Sequence, residues 1–302
     1  MTTHVVTLIS NPAQPALDGA TLAAAHGTLP DATNPRWLDA GIAADILFTP
    51  DIADDKAIAQ RIRAALGAAP IDVIVQPLAA RAKRLFVADM DSTMIGQECV
   101  DELAAYAGLK AHVAAITERA MRGEIAFEPA LRERVALLAG LPVAVVDEVI
   151  AKRITLTPGA RALVATMHRN GATTCLVSGG FTLFTSRIAA MIGFDAHRGN
   201  TLLVESGKLT GKVSEPILGR EAKLATLLEL RDRLGLAARD TLAVGDGAND
   251  LAMIEAAGLG LAYHAKPKVA AAAHARVDHG DLTALLYLQG YRREDFVETS
   301  RV

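Results

Sequence analysis

Disulfides, membrane spans and a charge bias are all missing from this 302-residue chain, and each absence removes a class of function. The two cysteines, Cys99 and Cys175, stand far apart in unrelated contexts, which leaves neither a disulfide framework nor a CxxC metal motif. Both read as reduced thiols. Lysine and arginine number 31 against 34 acids, a formal charge of −3, so there is no basic excess to neutralise a nucleic-acid backbone. A nucleic-acid partner is not expected. No segment reaches the roughly 20 uninterrupted apolar residues of a membrane helix, because even the alanine-rich stretches are cut by Arg, Glu or Asp. The N-terminus, "MTTHVVTLISNPAQP", has a short apolar run broken at Asn11 and Pro12 and no basic region before it. A soluble, cytoplasmic protein without a secretory leader is the expectation. No internal repeat is visible.

At 51% hydrophobic residues the chain can fill at least one substantial core, and its length leaves room for two domains. Residues 4–80 alternate strand and helix: "HVVTLIS", "PALDGATLAAAHGTL", "AADILFTP", "DKAIAQRIRAALGAA" and "IDVIVQPL". The pattern stops in a short basic stretch and a fresh strand begins at Leu85, so a boundary falls near residue 83, dividing the chain into 1–83 and 84–302. Beyond it comes strand 85–89, a helical region from about 97 to 155, and then repeated strand–helix units with near-continuous apolar strands. These argue for an α/β domain, a doubly wound parallel sheet covered by helices on both faces. A hairpin at "TLLVESGKLTGKV", turning at Ser206-Gly207, interrupts the alternation.

Ligands of such sheets bind beyond the carboxyl ends of the strands. Three strands end in unusual polar runs: "DMDST" (89–93), "VSGG" (177–180) and "VGDGAND" (244–250). Any one alone reads as a turn. Together they would bring Asp89, Asp91, Asp246 and Asp250 to one edge, where mutual repulsion demands a cation or raised pKa values. An oxygen-only ligand set without His or Cys points to Mg²⁺ rather than Zn²⁺, and hence to phosphoryl chemistry. The two-residue spacing of Asp89 and Asp91 puts both side chains on one face of an extended strand. Thr93 reads as a hydrogen-bonder of the turn.

These segments, with Lys223 in "GREAKL", resemble the four ordered motifs of the haloacid dehalogenase superfamily over about residues 84–280. Within it, "DMDSTMIGQE" (89–98), "FEPALRERV" (127–135) and "GDGAND" look like the phosphoserine phosphatase family. The resemblance implies Mg²⁺-dependent hydrolysis of O-phosphoserine to serine and phosphate, the last step of serine biosynthesis, through an aspartyl-phosphate. Asp89 would be the nucleophile. Asp91 would be the general acid and base and lend its backbone carbonyl to the metal, Asp246 would bind the metal directly, and Asp250 would serve its outer shell or fix Lys223. Ser178, Gly179, Lys223 and Asn249 would hold the substrate. Another small phosphometabolite, or phosphoryl transfer to an alcohol, is the alternative within the superfamily; a ligand-sensing or self-phosphorylating regulator is the alternative outside it.

Several of these residues also have plain readings. Ser178 and Gly179 suit a helix N-cap, Asn249 and Asp250 cap a helix at 251–257, and Lys223 would be a solvated lysine beside an apolar stripe of Leu224, Leu227, Leu228 and Leu234. The region 97–155 looks like a helical cap over the site. On its "ALRERVALLAG", Arg134 shares a face with Leu131, Val135 and Leu138, which is costly unless the side chain snorkels, pairs within the cap or meets an anion. The family pattern assigns Arg134 to the substrate carboxylate, Glu98 to its ammonium, and Phe127 to packing near the substrate or closing the cap. By pattern alone Glu98 is a solvated helix-start carboxylate. Two-domain members of the family carry a ferredoxin-like, ACT-like N-terminal domain, as residues 4–80 resemble, and such domains suggest a homodimer.

Overall fold

The computed structural model describes residues 2–121 and 124–298. The N-terminal unit runs β1 (His4–Ser10), α1 (Gly19–His26), β2 (Arg36–Asp39), β3 (Ala43–Phe48), α2 (Asp55–Leu66) and β4 (Ile71–Pro77). Its strands form an antiparallel sheet in the order β2-β3-β1-β4, the ferredoxin-like arrangement. Helix α1 is shorter than the expected 15–29, because Asp18 caps it by accepting the Thr21 N–H at 2.8 Å and leaves the segment before it outside. Strand β2 was not expected; "RWLD" is short and polar, and only its pairing with β3 makes it a strand.

The second unit begins with β5 (Leu85–Ala88), whose four residues are all buried because the strand lies at the centre of its sheet. Four helices follow: α3 (Cys99–Tyr106), α4 (Lys110–Met121), α5 (Phe127–Ala136) and α6 (Val145–Arg153). They form the expected cap, tied at its base where Ile95 bridges Leu156. The chain returns through α7 (Ala160–Arg169), β6 (Thr173–Phe181), α8 (Thr182–Ile192) and β7 (Ala196–Asn200). A two-stranded insert, β8 (Leu202–Glu205) and β9 (Lys208–Val213), turns at Ser206 and Gly207, both at positive φ as a type I′ hairpin requires. It leans on the cap: Pro142 bridges Lys208, and Gly140 N–H donates to the Leu209 carbonyl at 2.8 Å. The remaining elements are α9 (Arg220–Arg233), β10 (Thr241–Gly245), α10 (Leu251–Ala256), β11 (Leu259–Tyr263), α11 (Pro267–Ala272), β12 (Ala275–Val277) and α12 (Ala284–Tyr287).

Six parallel strands in the order β12-β11-β10-β5-β6-β7 make the central sheet. One face packs on Phe86, Leu163, Val164, Phe184 and Ile188, the other on Leu85, Val87, Leu227, Leu230 and Met253, all buried. Each such side chain contributes roughly 1.5–3 kcal/mol by leaving water, and together they fix the strand ends that present the polar motifs. No helix among the described residues is long and apolar enough to cross a membrane. Cys99 and Cys175 are free and buried.

Candidate active site

Strand β5 stops at Ala88; Asp89 (φ −67°, ψ 160°) and Asp91 (φ −66°, ψ 138°) keep extended backbone, but the turn they sit in ends the regular alternation of the strand. Met90–Met94 close a single wide turn in which Ile95 N–H donates to the Met90 carbonyl at 3.1 Å, with Ser92 at φ 55°. The expectation that strand alternation aims Asp89 and Asp91 the same way is therefore corrected. The strand ends before it can act, and the turn brings both carboxylates into one cavity of about 370 Å³ at the carboxyl edge of the sheet.

Asp89 is 5% exposed and its Oδ1 is held twice, by the Met90 N–H at 2.7 Å and by Lys223 Nζ at 2.7 Å. The other oxygen, Oδ2, has no partner among the described residues. Lys223 also donates to Asp250 Oδ1 at 2.6 Å, and Asp250 Oδ2 accepts the Gly247 N–H at 3.0 Å. Lys223 is thus not a solvated lysine. The buried face of α9 is Lys223, Thr226, Leu227 and Leu230, while Leu224 and Leu228 are half-buried and Leu234 is exposed, so the expected apolar stripe is displaced and the lysine stands on the inward side. Spacing i, i+3, i+4 and i+7 from Lys223 carried this signal.

Asp91 Oδ1 accepts the Cys99 N–H at 3.0 Å, and its Oδ2 accepts the Ser178 hydroxyl at 3.3 Å. Burial, then the charge of Glu98, pushes the Asp91 carboxyl up to about 6. Asp246 is also pushed up to about 6, by burial and then by Asp250 and Glu98; Thr93 donates its hydroxyl to Asp246 Oδ1 at 3.2 Å. Asp89 lies well above the carboxylate range, through burial first and the nearby Asp250 second, with Lys223 opposing. Burial would lower Lys223, but Asp89 and then Asp250 outweigh it and hold the ammonium well above its usual range.

Asp89, Asp246 and Asp250 each bring a carboxylate oxygen within 4.8 Å of the others. One lysine among buried acids leaves excess negative charge, and the all-oxygen donor set fits a hard divalent cation. Asp250 already spends both oxygens on Lys223 and Gly247, which leaves Asp89 and Asp246 as the carboxylates best placed to take it. The glycines of "GDGAND" follow from this crowding. A Cβ on Gly245 would stand 2.3 Å from Asp250 Cγ, and one on Gly247 would stand 2.3 Å from Asn249 Oδ1.

Ser178 and Gly179 belong to the last turn of β6 rather than to a helix cap; the N-cap of α8 is Phe181, and the strand bulges between Val177 and Phe181. Ser178 Oγ accepts the Gly180 N–H at 2.8 Å, which aims the hydroxyl at Asp91. Asp250 is the N-cap position of α10 but makes no side-chain cap bond, since its carboxylate serves Lys223 instead. Asn249 is exposed at the cavity wall.

The cap supplies the opposite wall. Arg134 is half-buried there, beside Leu131 and Val135, and among the described residues its guanidinium makes one hydrogen bond, Nε to the Ala130 carbonyl at 3.3 Å. Burial lowers its pKa, with Asp101 and Glu98 opposing. Both nitrogens of its fork remain for an anion. Glu98, exposed at the start of α3, accepts the Ser92 hydroxyl at 2.8 Å. Phe127, 42% exposed at the start of α5, reaches across the gap to Gly179, where an added Cβ would touch its ring at 3.5 Å. All eleven residues singled out in the sequence therefore lie at this site: nine line the cavity, and Lys223 and Asp250 stand behind it. Lys266, Asp101 and Thr117 also line it and were not anticipated. Lys266 lies outside every motif, and its backbone N–H, 3.3 Å from the Asp246 carbonyl, ties it to the loop after β10.

A family model described as haloacid dehalogenase-like hydrolase matches residues 86–255. A phosphoserine phosphatase of Polaromonas sp. is 50% identical over 210 residues, 68% of this chain and 89% of that protein. One of Streptomyces coelicolor is 47% identical over 232 residues, 77% of this chain but only 56% of the relative. Among solved structures, a haloacid dehalogenase family hydrolase of Salmonella enterica serovar Typhi superposes with a TM-score of 0.85 at 30% identity, covering 95% of this chain and 98% of that one. With its motifs gathered in one cavity at the carboxyl edge of a parallel sheet, the chain belongs to the haloacid dehalogenase-like hydrolases and, within them, to the phosphoserine phosphatase family.

Proposed function

We propose that this enzyme hydrolyses O-phosphoserine to serine and inorganic phosphate through an aspartyl-phosphate on Asp89. The observation that carries the reading is the meeting of two halves in one cavity. A carboxylate clamped by Lys223 lies on the sheet side, and the guanidinium fork of Arg134 beside Glu98 lies on the cap side. A phosphate, a carboxylate and an ammonium on one small molecule match that arrangement of charges. Two relatives named phosphoserine phosphatase, 47% and 50% identical to this chain over more than two thirds of its length, support it.

Asp89 Oδ2 attacks phosphorus while the bond to the seryl oxygen breaks, and Asp91, partly protonated near neutral pH, gives that oxygen its proton. Serine leaves. Asp91, now a carboxylate, takes a proton from water as the water oxygen attacks phosphorus, and the acyl-phosphate bond breaks to restore Asp89 and release phosphate. Ser178, the backbone at Gly179 and Lys223 hold the phosphoryl oxygens, and Asn249 borders them. Mg²⁺, held by Asp89, Asp246 and the Asp91 carbonyl, with Asp250 behind, would screen the approach of anion to anion.

The N-terminal domain is read as ACT-like, able to pair two subunits; its open edge strand β2 carries Trp37, 40% exposed, which supports that reading. Two buried reduced thiols suit a cytoplasmic setting. A panel of phosphate monoesters assayed with Mg²⁺ and again after chelation tests the proposal. Phosphoserine should lead the panel, chelation should abolish turnover, and Asp89→Asn should be inactive yet folded. Turnover by Asp89→Asn, or indifference to chelation, contradicts it.

A further inference from the structure

The two sheets meet edge to edge. Strand β4 is an edge of the N-terminal sheet and β12 an edge of the central one, and Asp72 on β4 accepts the N–H groups of Asp278 and Gly280, each at 2.7 Å. Beside this seam, between α2 and β12, lies a cleft of about 320 Å³ that shares no lining residue with the catalytic cavity. Its floor is apolar, with Ala59, Val73, Val75 and Ala273 buried. Cations from both domains surround it: Lys56 and Arg63 on α2, Arg276 on β12. Asp55 is the one acid among its described lining residues, and His4 Nε2 already lies 3.5 Å from it.

Lys56 spans the seam by donating to the Ala272 carbonyl at 2.8 Å, and its ammonium is exposed to solvent. The two arginines are less well served. Arg63 uses one Nη for the Val73 carbonyl at 2.7 Å. Arg276 Nε lies 2.8 Å from Asp278 Oδ2 but off the donor direction, and its buried N–H has no hydrogen-bond acceptor among the described residues. Two like-charged guanidiniums, partly removed from water and facing one cleft, oppose each other unless an anion lies between them. Burial first, and Arg276 second, lowers the Arg63 pKa, with Asp278 and Asp72 opposing only in part.

We propose that this interdomain cleft binds a small anion bearing a phosphate or carboxylate group, gripped by Arg63 from one domain and Arg276 from the other. The ligand would lie across the seam and hold the domains together. The site is separate from the catalytic cavity and does not depend on the substrate assigned there.

Thermal unfolding of the full chain, with inorganic phosphate and separately with succinate, tests the proposal and distinguishes the two anion types. The wild type, Arg63→Gln and Arg276→Gln are compared at matched Mg²⁺. At tenfold over Kd, binding to the cleft raises Tm by about 3 °C. Anions that also enter the catalytic cavity shift all three proteins equally, so the cleft is read from the part of the rise that the substitutions remove. Arg276, at the partly exposed rim, provides a variant that folds if Arg63→Gln does not. A rise with either anion that falls by half or more in a variant supports the cleft and names its anion. Equal rises in wild type and variants, or no rise with either anion, overturn it.

Discussion

A lysine 2% exposed is unfavourable in a protein interior unless carboxylates meet it, and Lys223 is met by Asp89 at 2.7 Å and Asp250 at 2.6 Å. Burial first, and then repulsion from neighbouring acids that one cation does not cancel, raises Asp89, Asp91 and Asp246 rather than lowering them. For Asp91 the consequence is a working range. Its protonated form, which releases serine in the proposed mechanism, persists up to about pH 6 and declines above it, so the rate of that first step should fall on the alkaline side. The Glu98 charge helps to hold that value up, so Glu98→Gln lowers it. The alkaline limb of the kcat profile should then move to lower pH by a few tenths of a unit, as expected for one partly exposed charge. A limb that stays in place or moves to higher pH contradicts this account of Asp91.

Three loops at the strand ends turn those residues into a site, and one of them leaves no room for a Cβ at Gly245 or Gly247. In Gly245→Ala the methyl group would stand 2.3 Å from Asp250 Cγ and drive that carboxylate off Lys223. Turnover should fall at least about 100-fold, with destabilisation of about 1–3 kcal/mol from overpacking, measured by denaturant unfolding. Gly207→Ala is the control. Its turn faces open space at φ 75°, so it costs about 1 kcal/mol and leaves kcat unchanged. Equal kcat losses in both variants would mean that crowding at Asp250 is not the cause. The strand-end motifs were legible in the sequence because each is contiguous and its polar residues interrupt an apolar run. What closes them was not. The turn at Met90–Met94 depends on one i to i+5 hydrogen bond, and Lys266 reaches the cavity only because α11 packs beside β11. Neither leaves a local pattern in the chain.

At the scale of the whole molecule, both units and the order of elements could be read from hydrophobic periodicity, whereas the seam between them could not, since it is built from single polar residues scattered along the chain. Arg81 is its centre. It grips Asp45 through both carboxylate oxygens at 2.7 Å and donates to the Leu288 carbonyl at 2.7 Å and the Tyr287 carbonyl at 3.0 Å. Asp45 is 3% exposed, so Arg81→Ala leaves a buried carboxylate unpaired and should cost about 3–5 kcal/mol in unfolding free energy. The folded fraction should keep its kcat, because the seam lies away from the catalytic cavity. A loss below about 1 kcal/mol would show that the two units are not joined through this residue.

The central claim is that the cap restricts a general phosphatase site to a phosphorylated amino acid, and Arg134 carries it. The most direct measurement compares Arg134→Ala with the wild type on phosphoserine and on phosphoethanolamine, which lacks only the carboxylate. Loss of a charge-assisted bidentate contact predicts a fall in kcat/KM for phosphoserine of about 100-fold, with phosphoethanolamine changed less than about threefold. Equal falls for both substrates, or an unchanged kcat/KM for phosphoserine, would contradict the account.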